Sequence, residues 1–154
     1  MKLPEFDIHP YVGALPLRFG LPRAEVPAVF DSPPLRSRDE DDYFGAVRVA
    51  YYGTGTIAEI GFVPRGVTLR FMGTELWNEQ TILDPVPLLL QHDPDPLETV
   101  GFLVFLALGV TVTGFHDGDT PQRALTVFRR GHWDTHLSDA KKPRLTKYRK
   151  KRSA

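Results

Sequence analysis

Between Tyr43 and Met72 the chain sets three strand-like segments in succession, YFGAVRVAYY, TIAEIGFV and VTLRFM, separated only by GTG and PRG. In the first, Val47, Val49 and Tyr51 alternate with Arg48 and Ala50, the period of two expected of a half-buried strand. The links are short and carry glycine, which is hairpin chemistry. An antiparallel meander is the expected result. The same rhythm returns later as VGFLVFLA, GVTVTGF and QRALTVFRRG, the last following the Asp-Gly turn of HDGD.

Each set of strands is preceded by one short helical segment. In LRFGLPRAEVPAVFDSPP, Pro22 stands where a helix begins, with Ala24, Val26, Ala28 and Val29 placed to face a core. Pro27 limits it, since an interior proline costs about 3 kcal/mol, so the helix should run about two turns. In LWNEQTILDPVPLLLQHDPDP a second helix is expected around Val86 to His92, with Asp84 as N-cap and Pro85 in the first turn. The expected fold class is therefore α+β: two repeats of a short helix followed by a three- to four-stranded antiparallel meander, together forming one continuous sheet. The repeat-like units are about 12–76 and 77–134.

Charge divides the chain differently. Overall, 19 Lys and Arg balance 19 Asp and Glu, but KKPRLTKYRKKRSA at the C-terminus holds eight of the basic residues and no acid. Residues 1–140 therefore carry 11 basic and 19 acidic side chains, a formal charge of −8. The expected organisation is one acidic globular domain over 1–140 and a basic flexible tail over 141–154. An acidic body repels phosphate backbones and attracts basic surfaces, while the tail is drawn to anything anionic.

Several classes of function are excluded or disfavoured. With no cysteine, there is no disulfide, thiolate catalysis or cysteine-ligated metal. The opening MKLPEFDIHPYVG has no apolar run of the signal-peptide kind. The most apolar stretch, VGFLVFLALGVTVTGF, is broken by three glycines and reads as a buried hairpin, short of the roughly 18 residues a membrane span needs. A cytoplasmic protein without membrane partners is expected.

Candidate chemistry is sparse, with no G-x-S-x-G elbow, phosphate loop or H-E-x-x-H pair. GTGTIA matches a dinucleotide fingerprint in letters, but β-branched residues and Pro64 follow where a helix should start. In GHWDTH, His132 and His136 are spaced i, i+4 with Asp134 between, and would share a face with metal-ligand chemistry if helical. The segment instead follows a strand and leads into a polar tail, so no metal, no cofactor and no catalytic residue is expected. The acids of HDPDPLE lack calcium-loop spacing, and FHDGD reads as a hairpin tip. Trp77 and Trp133 close corresponding strands next to polar residues, where either core burial or a binding anchor is reasonable.

The segment LRFGLPRAEVPAVF resembles the PLRFGMSRDEVRALLG opening common in bacterial predicted immunity proteins of polymorphic toxin systems. The doubled helix-and-meander order is similar to the tandem architecture of β-lactamase inhibitor proteins, and to the single unit of the barrel-assembly lipoprotein of outer membranes. Leu21-Pro22 replaces the family's Met-Ser, and Phe30-Asp31 its helix end, so the first helix should be distorted. The resemblance implies a non-enzymatic immunity protein that neutralises a cognate toxin by covering its active site. The −8 body suits a basic toxin domain acting on nucleic acid, because complementary charge speeds association. Expected toxin-binding residues are Asp39, Glu40, Asp41, Asp42, Trp77, Asp93, Asp95, Asp117, Asp119 and Trp133. The alternative is nucleic-acid binding through the tail, with its cations on phosphates and Tyr148 stacked on a base.

Overall fold

The computed structural model describes residues 3–149. It contains thirteen strands in two sheets and three short helices. In chain order the strands are β1 Glu5–His9, β2 Gly13–Leu15, β3 Leu17–Arg18, β4 Arg36–Arg38, β5 Asp41–Phe44, β6 Val47–Ala50, β7 Glu59–Phe62, β8 Thr68–Phe71, β9 Thr74–Trp77, β10 Leu97–Thr99, β11 Phe102–Phe105, β12 Val110–Thr113 and β13 Ala124–Phe128. The helices are α1 Val26–Phe30, α2 Val86–His92 and α3 Thr146–Arg149.

The expected single sheet built of two helix-and-meander repeats is not what forms. The larger sheet runs β10-β11-β12-β13-β7-β6-β5-β4, and the smaller one runs β3-β2-β1-β8-β9. The reason lies in the edges of β7. A strand has two, and β6 and β13 occupy both by antiparallel pairing, so β8 cannot continue the meander. The chain leaves through Val63–Val67, where Arg65 and Gly66 take positive φ angles of 71° and 120°, and β8 pairs in parallel with β1. β1 was not anticipated, although EFDIH alternates, with Phe6 and Ile8 buried and Asp7 and His9 half-buried.

The two sheets share one core. Phe6 of the smaller sheet lies 5.3 Å from Phe62 of the larger and 5.7 Å from Phe30 of α1, and Phe30 stacks on Phe44 at 4.0 Å. Helix α1 is as short as its prolines require: a 3-10 turn at Arg23–Glu25, then five residues. It ends on Asp31 in the left-handed conformation, a position usually given to glycine or asparagine. Helix α2 occupies the expected span, but Pro85 and not Asp84 stands at its N-cap; Asp84, one residue earlier, accepts the Val86 amide at 3.0 Å.

The basic segment from residue 141, expected to be a free tail, is docked along its described part. Lys141 exchanges backbone hydrogen bonds with Glu98, Leu145 is buried in the core, and Lys147 Nζ donates to the Phe115 carbonyl at 2.8 Å. The Tyr148 hydroxyl donates to Asp84. Residues 150–154 lie outside the described residues. No helix among the described residues is long and apolar enough to cross a membrane.

Candidate binding cleft

The face of the larger sheet turned away from the core is where charge and aromatic side chains gather. Register places Arg48 opposite Gly61 and Ala50 opposite Glu59 on β6 and β7, and Phe128 of β13 opposite Glu59. Arg48, Glu59 and Phe128 thus share one face. Gly61 makes room for them: a Cβ there would sit 3.3 Å from Thr126 Oγ1 and 3.7 Å from Arg48 Nε.

Arg48 reaches along this face to three acceptors, pairing with Glu59, with Asp41 at 3.4 Å and with the Tyr52 hydroxyl at 3.2 Å. The other Glu59 oxygen bonds His132 Nε2 at 2.9 Å, and the Tyr52 ring lies parallel to the imidazole at 5.6 Å. Burial pushes the Glu59 carboxyl up, but the His132 hydrogen bond and the Arg48 charge more than offset it, so it sits below the ordinary value. Burial also pulls the Arg48 guanidinium down, yet the Glu59 charge and hydrogen bond leave it raised, while burial raises the Tyr52 phenol.

An ionised carboxylate only accepts hydrogen bonds, so His132 donates its Nε2–H to Glu59. Nδ1 has no protein partner among the described residues and is open to solvent. His132 lines a cleft of about 790 Å³ together with Tyr52 and Glu59. One wall is the β10–β11 hairpin with Thr99, Val100 and Phe102, and the other is the 132–139 loop with Trp133, His136 and Asp139. Trp133 stands at 5.5 Å from Phe102, 6.1 Å from Phe128 and 5.6 Å from His136. Successive tight turns hold the loop, with His132 N on Arg129 O, Asp134 N on Gly131 O and His136 N on Trp133 O.

Val100 is unusual. Thr99 and Phe102 pair across a two-residue turn in which Val100 and Gly101 have φ of 48° and 85°, the type I′ geometry that favours Asn-Gly. A β-branched residue is strained there, and this one is 91% exposed. Met72-Gly73 makes a similar turn between β8 and β9, but its side chain is unbranched and less exposed.

The expected toxin-binding residues disperse around the molecule. Asp39 to Asp42 form the turn and the start of the second strand of the β4–β5 hairpin. Asp42 is buried, gripped by Arg23 Nη2 and Nε at 2.6 and 3.0 Å and by Ser37 at 2.7 Å. Burial pushes its carboxyl up, but those bonds pull it below the usual range. Asp41 belongs to the Arg48 network, Glu40 accepts the Gly53 amide at 2.9 Å, and Asp39 is exposed. Asp93 is buried and accepts the Asp95 and Ala107 amides, whereas Asp95 is exposed. Asp117 and Asp119 sit exposed at the β12–β13 turn. Trp77 is fully buried, its Nε1 donating to the Leu83 carbonyl at 3.0 Å. Of the ten, only Trp133 lines the cleft.

The i, i+4 reading of His132 and His136 is replaced by different partnerships: His132 goes to Glu59, and His136 packs edge-on against Trp133. Among the described residues, no three histidine or acidic side chains converge as a metal site. GTGTIA forms turns and an extended segment without a helix. Arg48, Tyr52 and Glu59 were not singled out from the sequence, though the alternation in AVRVAYY does place Arg48 off the core face. No protein-family model, curated protein or solved structure matches the chain.

Proposed function

We propose that this chain is a stoichiometric binding protein, an immunity protein that neutralises a basic toxin domain, and that it docks through the cleft between the β10–β11 hairpin and the 132–139 loop. The observation that carries the reading is Val100, a strained, 91%-exposed valine beside Phe102 and Trp133. Folding alone favours asparagine in that turn, so the apolar side chain costs stability without an internal return. Exposed apolar groups ringed by polar ones mark partner sites, and tryptophan is a frequent anchor in them. The excess of acids over residues 1–140 fits a basic partner. The nucleic-acid reading is weakened, because Leu145, Lys147 and Tyr148 of the basic segment are engaged with the body.

The test is co-expression in bacteria with the C-terminal region of the upstream gene's product. Restored growth that is lost in Trp133→Ala and Val100→Asn, and kept when residues 150–154 are deleted, supports the reading. A non-toxic neighbour, or no rescue by the unaltered chain, removes the immunity reading. Rescue undiminished in both cleft variants moves docking elsewhere on the surface.

A further inference from the structure

We infer that the cleft is built to take a guanidinium group, an arginine side chain of the partner, an inference that rests on the docking reading above.

The argument starts from what the walls offer. Among the described residues, no lysine or arginine lines the cleft. Arg48 lies behind Glu59, its charge already shared among Glu59, Asp41 and the Tyr52 hydroxyl. Beside it, Glu59 itself lines the cleft as a carboxylate acceptor, its second oxygen bonded to His132 Nε2. The Asp139 carboxylate adds a second acceptor and a negative charge, exposed on the loop wall. The rings of Trp133 and Phe102, 5.5 Å apart, line the same cleft.

These features select a cation over an anion. An oxyanion would meet the Glu59 and Asp139 carboxylates, which repel it, and aromatic rings whose faces carry negative potential. A planar guanidinium has five donors and no acceptor, stacks on tryptophan and is only weakly hydrated, so it satisfies both kinds of wall at once. An ammonium can take the charge and the acceptor but cannot stack as a plane. The source is a protein side chain, since the cleft opens beside the exposed Val100 and the acidic body would draw a basic domain toward it.

The chain contains its own reporter. It has two tryptophans; Trp77 is fully buried and Trp133 lines the cleft, so a fluorescence change on adding a solute reports on Trp133. The full chain is titrated with Nα-acetyl-arginine amide, Nα-acetyl-lysine amide and the neutral Nα-acetyl-glutamine amide, following Trp133 emission and backbone amide shifts. The expected result is a saturable response to the arginine compound in the millimolar range, with shifts confined to residues 99–102 and 131–139. The lysine compound should bind at least about threefold more weakly and the glutamine compound not at all. Asp139→Asn, at an exposed position that leaves the fold intact, should weaken arginine binding by about threefold or more.

An arginine response equal to that of glutamine, absent, or spread away from the cleft overturns the inference. Failure of the docking reading is seen separately. Growth rescue that depends on Trp133, combined with no arginine response, leaves docking standing and removes the guanidinium. Saturable arginine binding in a chain that rescues no growth does the reverse.

Discussion

Replacing Arg48 by methionine keeps most of the side-chain volume and strips Glu59 of its main counter-charge. Removing one partner of a buried ion pair costs about 3–5 kcal/mol, because the remaining charge is left uncompensated. Here the Arg48 side chain is 26% exposed and that of Glu59 13%, and His132 still bonds the second carboxylate oxygen. The loss should therefore fall at the lower end, about 3 kcal/mol, or a fall in Tm of about 6–12 °C for a domain of this length. Glu59→Gln leaves Arg48 with Asp41 and Tyr52 and should cost only about 1–2 kcal/mol. Arg48→Met combined with Glu59→Gln removes both charges, so it should be more stable than Arg48→Met alone, with a coupling energy of about 2 kcal/mol. Urea unfolding at neutral pH with a common m-value measures all three. Acid titration adds a sign: the Glu59 pKa is depressed in the folded state, so its contribution is complete above the unfolded value near 4.3 and is lost as pH falls through the folded one. Arg48→Met should flatten that acid limb. Additivity of the two single changes to within about 0.5 kcal/mol would refute the description of this network.

Val100→Asn should raise stability by up to about 1 kcal/mol by suiting the type I′ turn, while toxin rescue falls; thermal melts and co-expression read the two effects separately. Gly114→Ala should cost more than about 2 kcal/mol, since φ is +80° and the new Cβ would lie 2.4 Å from the Arg123 amide, whereas Gly53→Ala, with open space around it, pays only the backbone term of about 1–2 kcal/mol. Comparing their urea midpoints tests the difference. Trp77→Phe loses the bond to Leu83 O and part of a fully buried ring, costing about 2–3 kcal/mol, and leaves the red-shifted emission of Trp133 alone. Leu145→Ala should cost about 2 kcal/mol and increase proteolysis within 141–149, a result inconsistent with a segment that never docks.

What was legible from sequence was local. Alternation in AVRVAYY gave β6, and the prolines at 85 and 87 with Asp84 gave α2 its limits. What was not legible was which strand edges meet. Period-two patterning says which side chains face inward but does not say that β13 takes the free edge of β7, or that β8 runs parallel to β1 across some sixty residues of chain. The cleft suffered from the same limit. Glu59 and His132 are 73 positions apart and meet only because β13 lies against β7 and delivers the following loop onto that face. Acidic residues misled in a different way: Asp42 and Asp93 look like surface charge in sequence, yet one is gripped by Arg23 and the other caps loop amides.

That redistribution bears on how a partner would be met. Asp41, Asp42, Glu59 and Asp93 serve the protein's own cations and amides, and Asp84 and Glu98 hold the basic segment through Tyr148 and Lys141. The ion pairs with Arg23 and Arg48 are already counted in the −8 of residues 1–140, the basic residues of the docked segment offset part of it, and salt screens what is left beyond a Debye length of about 8–10 Å. Outward charge remains at Asp39, Asp95, Asp117, Asp119 and Asp139. These sites are too scattered to define an interface, but they can orient an approaching basic domain. On the proposed docking, close-range discrimination falls to the cleft, where Phe102 of β11 meets Trp133 and the Glu59-bonded His132 of the following loop. On that division, added salt should slow association while leaving dissociation nearly unchanged, because steering charges act on the encounter and buried anchors on the lifetime of the complex.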